Sequence, residues 1–309
     1  MPPLLDDTRM APESKTKSAS VSPPWEDSLI VALRDLQWIR KNKATLSEIR
    51  RFQKVTTDAE RAAIQAKVKN LPVPPALLAK LDGNAESASG DVLTSAEKRF
   101  FLLELKASEA ALQSEKAKFV YACLTSVDSE NEEDRLLLEL SRRGHHFLYP
   151  RVDSASNSGP SGFLPIHRVT LKTRTYYDTV AHGAAAAEPI AASDLLWNRR
   201  ELGLRLHEMA AYLDALSTVH KGGTASHPIK VVVTSAGEDD ESDNFVWPCA
   251  DLTQFVEFTA YFDKTIENNA VDELYRILWS QLTPTVTRLL ATSDEDENSW
   301  DNDISSPTP

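Results

Sequence analysis

From residue 25 to about 81 the apolar positions recur at helical spacing, with Leu29, Leu33 and Leu36 on one face. Thr45 with Glu48, and Thr57 with Glu60, have capping-box spacing, in which side chains satisfy the free backbone N–H groups of a helix start. The prolines of LPVPP at 71–75 end this pattern. The stretch 82–90 (DGNAESASG) then reads as a flexible connection and the best internal boundary. Thr94 and Glu97 make another box. They predict a helix through Glu115, with Phe100, Leu103, Ala107 and Ala110 on its apolar stripe.

The pattern then changes. Residues 119–124 (FVYACL) form a short apolar run that predicts a strand, and 125–128 a polar loop. Ser129 with Glu132 predicts the start of a helix that buries Leu136, Leu137 and Leu140. Arg142 and Arg143 suit its C-terminal dipole, and Gly144 reads as a left-handed stop. A second strand is predicted at 145–149 (HHFLY), ending at Pro150. Residues 153–162 read as a loop, and 169–177 as a strand or an irregular arm. Ser193 or Asp194 opens a predicted long helix carrying Leu195, Leu202, Leu206, Met209, Leu213 and Leu216, which Gly222 and Gly223 close. The clearest strand is 229–234 (IKVVVT), short, β-branched and bounded by turn residues. Helices are predicted near 252–266 and 271–290, the latter interrupted at Pro284. Strands alternating with helices predict a parallel sheet covered on both faces. The expected organisation is a disordered arm (1–24), a helical region (25–82), a linker (83–93), a connecting helix (94–117), an α/β domain (118–290) and a disordered acidic tail (291–309).

Composition narrows the chemistry. The chain has 309 residues and a formal net charge of −12, which repels phosphate backbones and argues against nucleic acid as a partner. Cys123 and Cys249 lie far apart in no metal or disulfide pattern, and Cys123 reads as a small buried hydrophobe. His145 and His146 are adjacent, so on a strand they face opposite ways, and the remaining histidines follow no ligand spacing. No metal site is assigned. The start of the chain lacks a signal-peptide pattern and no apolar run is long enough to span a bilayer, so a cytoplasmic protein without membrane contact is expected.

Two constellations remain. The segment from Val120 through the acidic helix start to Gly144 and Pro150 resembles the opening of Toll–interleukin receptor (TIR) domains of bacterial conflict proteins. The run Trp197-Asn-Arg-Arg-Glu201-Leu202 is similar to that family's Trp-x-x-x-Glu-Leu helix start. The resemblance implies an α/β fold of the flavodoxin-like, TIR-like kind: a parallel sheet with flanking helices, here preceded by a small helical region. It implies NAD as substrate without a bound cofactor, cleaved at the nicotinamide glycosidic bond once the protein is assembled with a partner or with itself. Glu201 would be the catalytic carboxylate, Trp197 a stacking surface, and Thr125 and Ser126 polar loop contacts. Cleavage through an oxocarbenium-like state suits a nearby carboxylate. The alternative is a non-catalytic interaction module on the same fold. Read from the residues alone, Glu201 is also a solvated acid and Trp197 a core residue.

The second constellation is Glu104-Leu-Lys106, preceded by Asp91, which resembles the E-x-K strand of PD-(D/E)xK nucleases, where acid and lysine share one face beside a metal. The helix predicted from Thr94 would rule this out, because residues two apart on a helix do not face each other.

Overall fold

The computed structural model describes residues 26–69, 78–81, 90–96, 99–153, 168–220, 229–234, 244–249 and 268–300. The arm (1–24), the proline stretch after Lys69, the connection 82–89, residues 154–167, Gly222 and Gly223, the helix expected near 252–266 and the tail beyond Trp300 lie outside the described residues.

Among the described residues eight strands form one sheet: β1 (Leu78–Lys80), β2 (Val92–Ala96), β3 (Arg99–Leu105), β4 (His145–Asp153), β5 (Arg168–Thr175), β6 (Ile190–Ala191), β7 (Ile229–Thr234) and β8 (Asn244–Cys249). Their order across the sheet is β6-β5-β4-β3-β2-β1-β7-β8. Only β3 and β4 run parallel, joined by a crossover of helical segments; every other neighbouring pair is antiparallel. The protein is therefore α/β with flanking helices, but its sheet is mixed and mostly antiparallel, not the parallel sheet expected.

The element that changes the picture most is β3. Thr94 and Arg99 to Leu105 are strand, not helix: Val92 pairs with Leu103, and Ala96 with Arg99. Phe100 and Leu102 pack into one core cluster, while Phe101, Leu103 and Leu105 pack into the other, on the opposite face. A central strand buried on both sides reads as a continuous apolar run, which helical stripes can mimic. The connecting helix of 94–117 is thus two strands followed by a 3₁₀ segment, Glu109–Ala117.

The reverse correction applies to residues 119–124. They are helix α3 (Phe119–Thr125), which buries Val120, Cys123 and Leu124. Those positions are i, i+3 and i+4, the helical reading of a run too short for its period to decide. Helices α1 (Glu26–Phe52) and α2 (Asp58–Lys69) lie in the region 25–82 expected to be helical, but Leu78–Lys80 near its end is strand β1; Thr57 caps α2, with the Glu60 N–H donating to its Oγ1 at 3.4 Å. Thr45 and Glu48 instead lie within α1. Helix α4 (Arg135–Gly144) begins after the Ser129/Glu132 box, and β4 continues through Pro150 as far as Asp153. Gly144 ends α4 for a reason other than a left-handed turn: a Cβ there would meet Leu204 Cγ at 2.5 Å.

Residues 169–175 are strand, leading into α5 (Tyr176–His182). The long helix expected from Asp194 is broken. A π turn, Asp194–Asn198, is followed by irregular chain until α6 (Leu206–His220). Gly203 has φ +85°, and a Cβ there would lie 2.7 Å from Phe101 Cζ, so helix cannot continue through it. The carbonyls this break releases accept from one side chain: Arg99 donates to Arg199 and Leu202 carbonyls at 2.6 Å and to Leu196 at 3.0 Å. Helix α7 (Asn268–Trp300) holds Pro284 and runs past the expected start of the tail. None of the described helices is long and apolar enough to cross a membrane.

Helices α3, α4, α6 and α7 cover one sheet face; Leu29 and Leu33 of α1, with Leu195 and Leu196, cover the other. Gln37 of α1 donates to Thr94 Oγ1 at 2.9 Å, a buried bond that ties the helical region to β2. The common parallel edge expected for the runs starting at 119, 145 and 229 is absent. The first is helix, and β7 is separated from β4 by three intervening strands and runs in the opposite direction.

Candidate functional site

At the C-terminal end of β3 the apolar core on the α3/α4 side gives way to charge. Glu104 follows Phe100 and Leu102 on the same face, and Lys106 comes next on it. The Lys106 N–H donates to the Leu148 carbonyl at 3.0 Å, carrying the β3–β4 ladder one residue beyond the strand. Asp91 immediately precedes β2. Its own N–H donates to the Leu103 carbonyl at 3.1 Å, its carbonyl accepts from the Leu81 N–H at 2.9 Å, and its Oδ2 accepts from the Leu105 N–H at 2.6 Å. Bonding to both flanking strands fixes this carboxylate beside Glu104.

Two further residues complete the cluster. Glu115 comes from the 3₁₀ segment, and Lys118 from the junction of that segment with α3. Lys106 Nζ donates to Glu104 Oε1 at 2.8 Å and lies 2.6 Å from Glu115 Oε1. Glu115 Oε2 accepts from the Tyr176 hydroxyl at 3.1 Å. Lys118 Nζ donates to the same Glu104 oxygen, Oε1, and stands 3.6 Å from Asp91 Oδ1. The side chains of Glu104 and Glu115 are almost wholly buried, whereas that of Lys118 keeps 26% of its surface exposed. Lys118 is the most accessible member of the group.

Three carboxyl groups meet two ammonium groups here, so with all three ionised the cluster would lack one positive charge. Burial and the neighbouring Asp91 push the Glu104 carboxyl up to about 8, against the pull of Lys118 and Lys106. Burial works against the charge on Lys106 as well, but Glu104 and Glu115 more than offset it and hold its ammonium protonated. Glu104 Oε2 is buried and has no hydrogen-bond partner among the described residues. A lone buried carboxylate oxygen costs free energy unless something positive or protic meets it.

Could this cluster hold a metal? Among the described residues no group of three or more His, Cys, Asp and Glu side chains is arranged to do so. Asp91 and Glu104 supply two hard oxygen donors on adjacent segments, one of them with a free oxygen. That fits Mg²⁺ or Mn²⁺, which commonly takes one or two carboxylates and completes its shell with water and substrate phosphate.

The residues expected to handle NAD lie elsewhere and apart. Glu201 sits in the irregular chain after the π turn, its side chain 64% exposed and its Oε1 3.7 Å from Arg199 Nη1. It lines a cleft of about 260 Å³ together with His146, Arg174, Asp178 and Glu188. Trp197 is half-buried against the second core cluster, with the Arg40 guanidinium 5.7 Å from its ring. Thr125 and Ser126 end α3, where their hydroxyls donate to the Tyr121 and Cys123 carbonyls at 2.8 Å. Neither lines the Glu201 cleft. Cys123 is buried, and burial pushes its thiol up to about 12, so it is a packing residue without nucleophilic character.

Sequence reasoning paired Asp91, Glu104 and Lys106 but missed Glu115, Lys118 and Tyr176. Nothing in their local sequence marks them; Glu115 and Lys118 join the site through the crossover between β3 and β4, and Tyr176 through α5. Comparison with models of protein families, with curated proteins and with solved structures finds no match.

Proposed function

We propose that the chain is a divalent-metal-assisted phosphodiesterase of the PD-(D/E)xK kind, centred on Asp91, Glu104 and Lys106. The observation that carries this reading is the strand conformation of β3, which sets Glu104 and Lys106 on one face with Asp91 beside them, all three buried. Asp91 and Glu104 would hold the cation. When bound, it would polarise a phosphate oxygen and lower the pKa of an attacking water.

The chain's own residues do the rest. Glu104 and Glu115 keep the Lys106 ammonium charged and aimed, so that it can donate to the negative charge growing on the phosphoryl oxygens. The Leu105 N–H orients the Asp91 carboxylate. Substrate would approach past Lys118 and Asp91, the two most exposed side chains of the cluster. A net charge of −12 weakens attraction to long duplexes, so cleavage is best sought at low ionic strength and on short or single-stranded substrates.

The test uses the full chain with Mn²⁺ or Mg²⁺ on bis(p-nitrophenyl) phosphate, a single-stranded oligonucleotide and a short duplex. Hydrolysis that a chelator abolishes, and that falls by about two orders of magnitude or more in Glu104→Gln and Asp91→Asn, supports the reading. No hydrolysis of any of the three, or hydrolysis that survives both substitutions, overturns it.

Glu201 does line a cleft, which favours NAD cleavage as a second reading. Nicotinamide release by the wild type, lost in Glu201→Ala, would support that reading instead.

A further inference from the structure

Lys118 is not part of the acid-x-lysine pattern, yet it has the most direct claim on the two carboxylates. Its ammonium donates to Glu104 Oε1 and stands 3.6 Å from Asp91 Oδ1, bridging the pair. Lys106 differs: it lies between Glu104 and Glu115, its side chain 6% exposed, and no ion pair joins it to Asp91. The exposed part of Lys118 opens a route that Lys106 lacks. Its backbone is extended, with φ −87° and ψ 145°, at the break between the 3₁₀ segment and α3, so its side chain belongs to no packed helix face. Beside this bridge, Glu104 Oε2 remains buried and unpartnered among the described residues. Both ammonium groups thus gather on one oxygen of Glu104, and the other is left for a ligand of higher charge.

We propose that Lys118 is a built-in stand-in for the metal: it occupies the cation position between Asp91 and Glu104 in the metal-free protein and swings outward when a divalent cation enters. This rests on the phosphodiesterase reading above. Displacing Lys118 is a cost the incoming cation must meet, so the measured affinity is the intrinsic one multiplied by the fraction of molecules in which Lys118 is unseated. Metal-free protein would then keep its carboxylate pair compensated, and metal would be held more tightly where a phosphate substrate adds its own oxygens.

Calorimetric titration of the full chain with Mn²⁺ tests this, run on wild type, Lys118→Met, Lys118→Arg and Lys106→Met. Lys118→Met is expected to bind Mn²⁺ about tenfold tighter than wild type or more, with Lys118→Arg close to wild type. Lys106→Met is expected to show a smaller gain, since Lys106 makes no ion pair with Asp91. In parallel, wild-type protein is acetylated with an N-hydroxysuccinimide ester, with Mn²⁺ or with chelator, and mapped by peptide mass spectrometry. Mn²⁺ should raise labelling of Lys118 severalfold and leave Lys106 protected. The labelling needs no variant to fold.

If wild type binds Mn²⁺ but Lys118→Met binds no tighter, or Lys106→Met gains as much, or Lys118 labelling does not rise, the stand-in role is overturned and the metal site stands. If neither wild type nor Lys118→Met binds Mn²⁺, both fall together.

Discussion

At the scale of single residues, the buried histidines give a sharp expectation. His146 is buried, its Nε2 3.0 Å from the Arg143 carbonyl, and desolvation lowers it to about 4. His145, stacked on Tyr176 with ring centroids 4.1 Å apart, is lowered well below its ordinary value by burial and by the charges of His146 and Lys118. A histidine neutral when folded and protonated when unfolded stabilises the fold above its unfolded value of about 6.5. That contribution, about 3 kcal/mol for His146, is lost as pH falls through 4. Thermal unfolding followed from pH 7.5 to pH 4 should show a falling midpoint through this window. His146→Gln, which keeps a donor for the Arg143 carbonyl, should flatten the fall. Adjacency alone made the opposite-facing placement of these two histidines legible in the sequence. Their burial was not legible, because it depends on distant parts of the chain: Tyr176 of α5 and Tyr212 of α6 beside His145, and Phe101 of β3 beside His146 on the other face.

At the scale of elements, the recurrent error has one cause. Capping-box spacing is short and common, and Thr94, Thr45 and Ser129 all carry it without starting a helix, while Thr57 carries it and does. In a run such as Arg99–Leu105, apolar on both faces, local pattern cannot choose between stripe and strand, and pairing with Val92–Ala96 decides. The clear strand at 229–234 and the strand from His145 were readable because β-branched or aromatic residues alternate within turn boundaries. The break before α6 was hidden in one glycine and one distant arginine. Arg99 gathers three carbonyls of the 196–202 chain, and so holds both the π turn and the Glu201 loop. Arg99→Met should leave these carbonyls unpaired. The N–H groups of Leu202 and Gly203, which now bond the Arg199 and Arg143 carbonyls at 3.1 and 2.7 Å, should then exchange with deuterium faster while the amides of β3 hold. Equal exchange in wild type and variant would mean that Gly203 alone sets the break.

At the scale of the whole molecule, the boundary read at 83–93 does not divide the sheet. β1 precedes it and pairs with β2 and β7 on either side, and α1 reaches over to Thr94. The acidic total remains as legible as before, but it describes the surface field and not the interior. The candidate site takes its charge from inside, where a hairpin, a crossover and α5 each contribute one or more groups: Asp91, Glu104 and Lys106, then Glu115 and Lys118, then Tyr176. Three of those six were readable as a motif because acid and lysine sit two apart in one segment. The other three became visible only with the fold.

The most direct test of the account is an anomalous difference map from crystals of the full chain soaked in Mn²⁺. A peak shared by the Asp91 and Glu104 carboxylates, absent in Glu104→Gln crystals, is the result expected. A map with no peak there, or with Mn²⁺ bound only at exposed surface carboxylates, would contradict it.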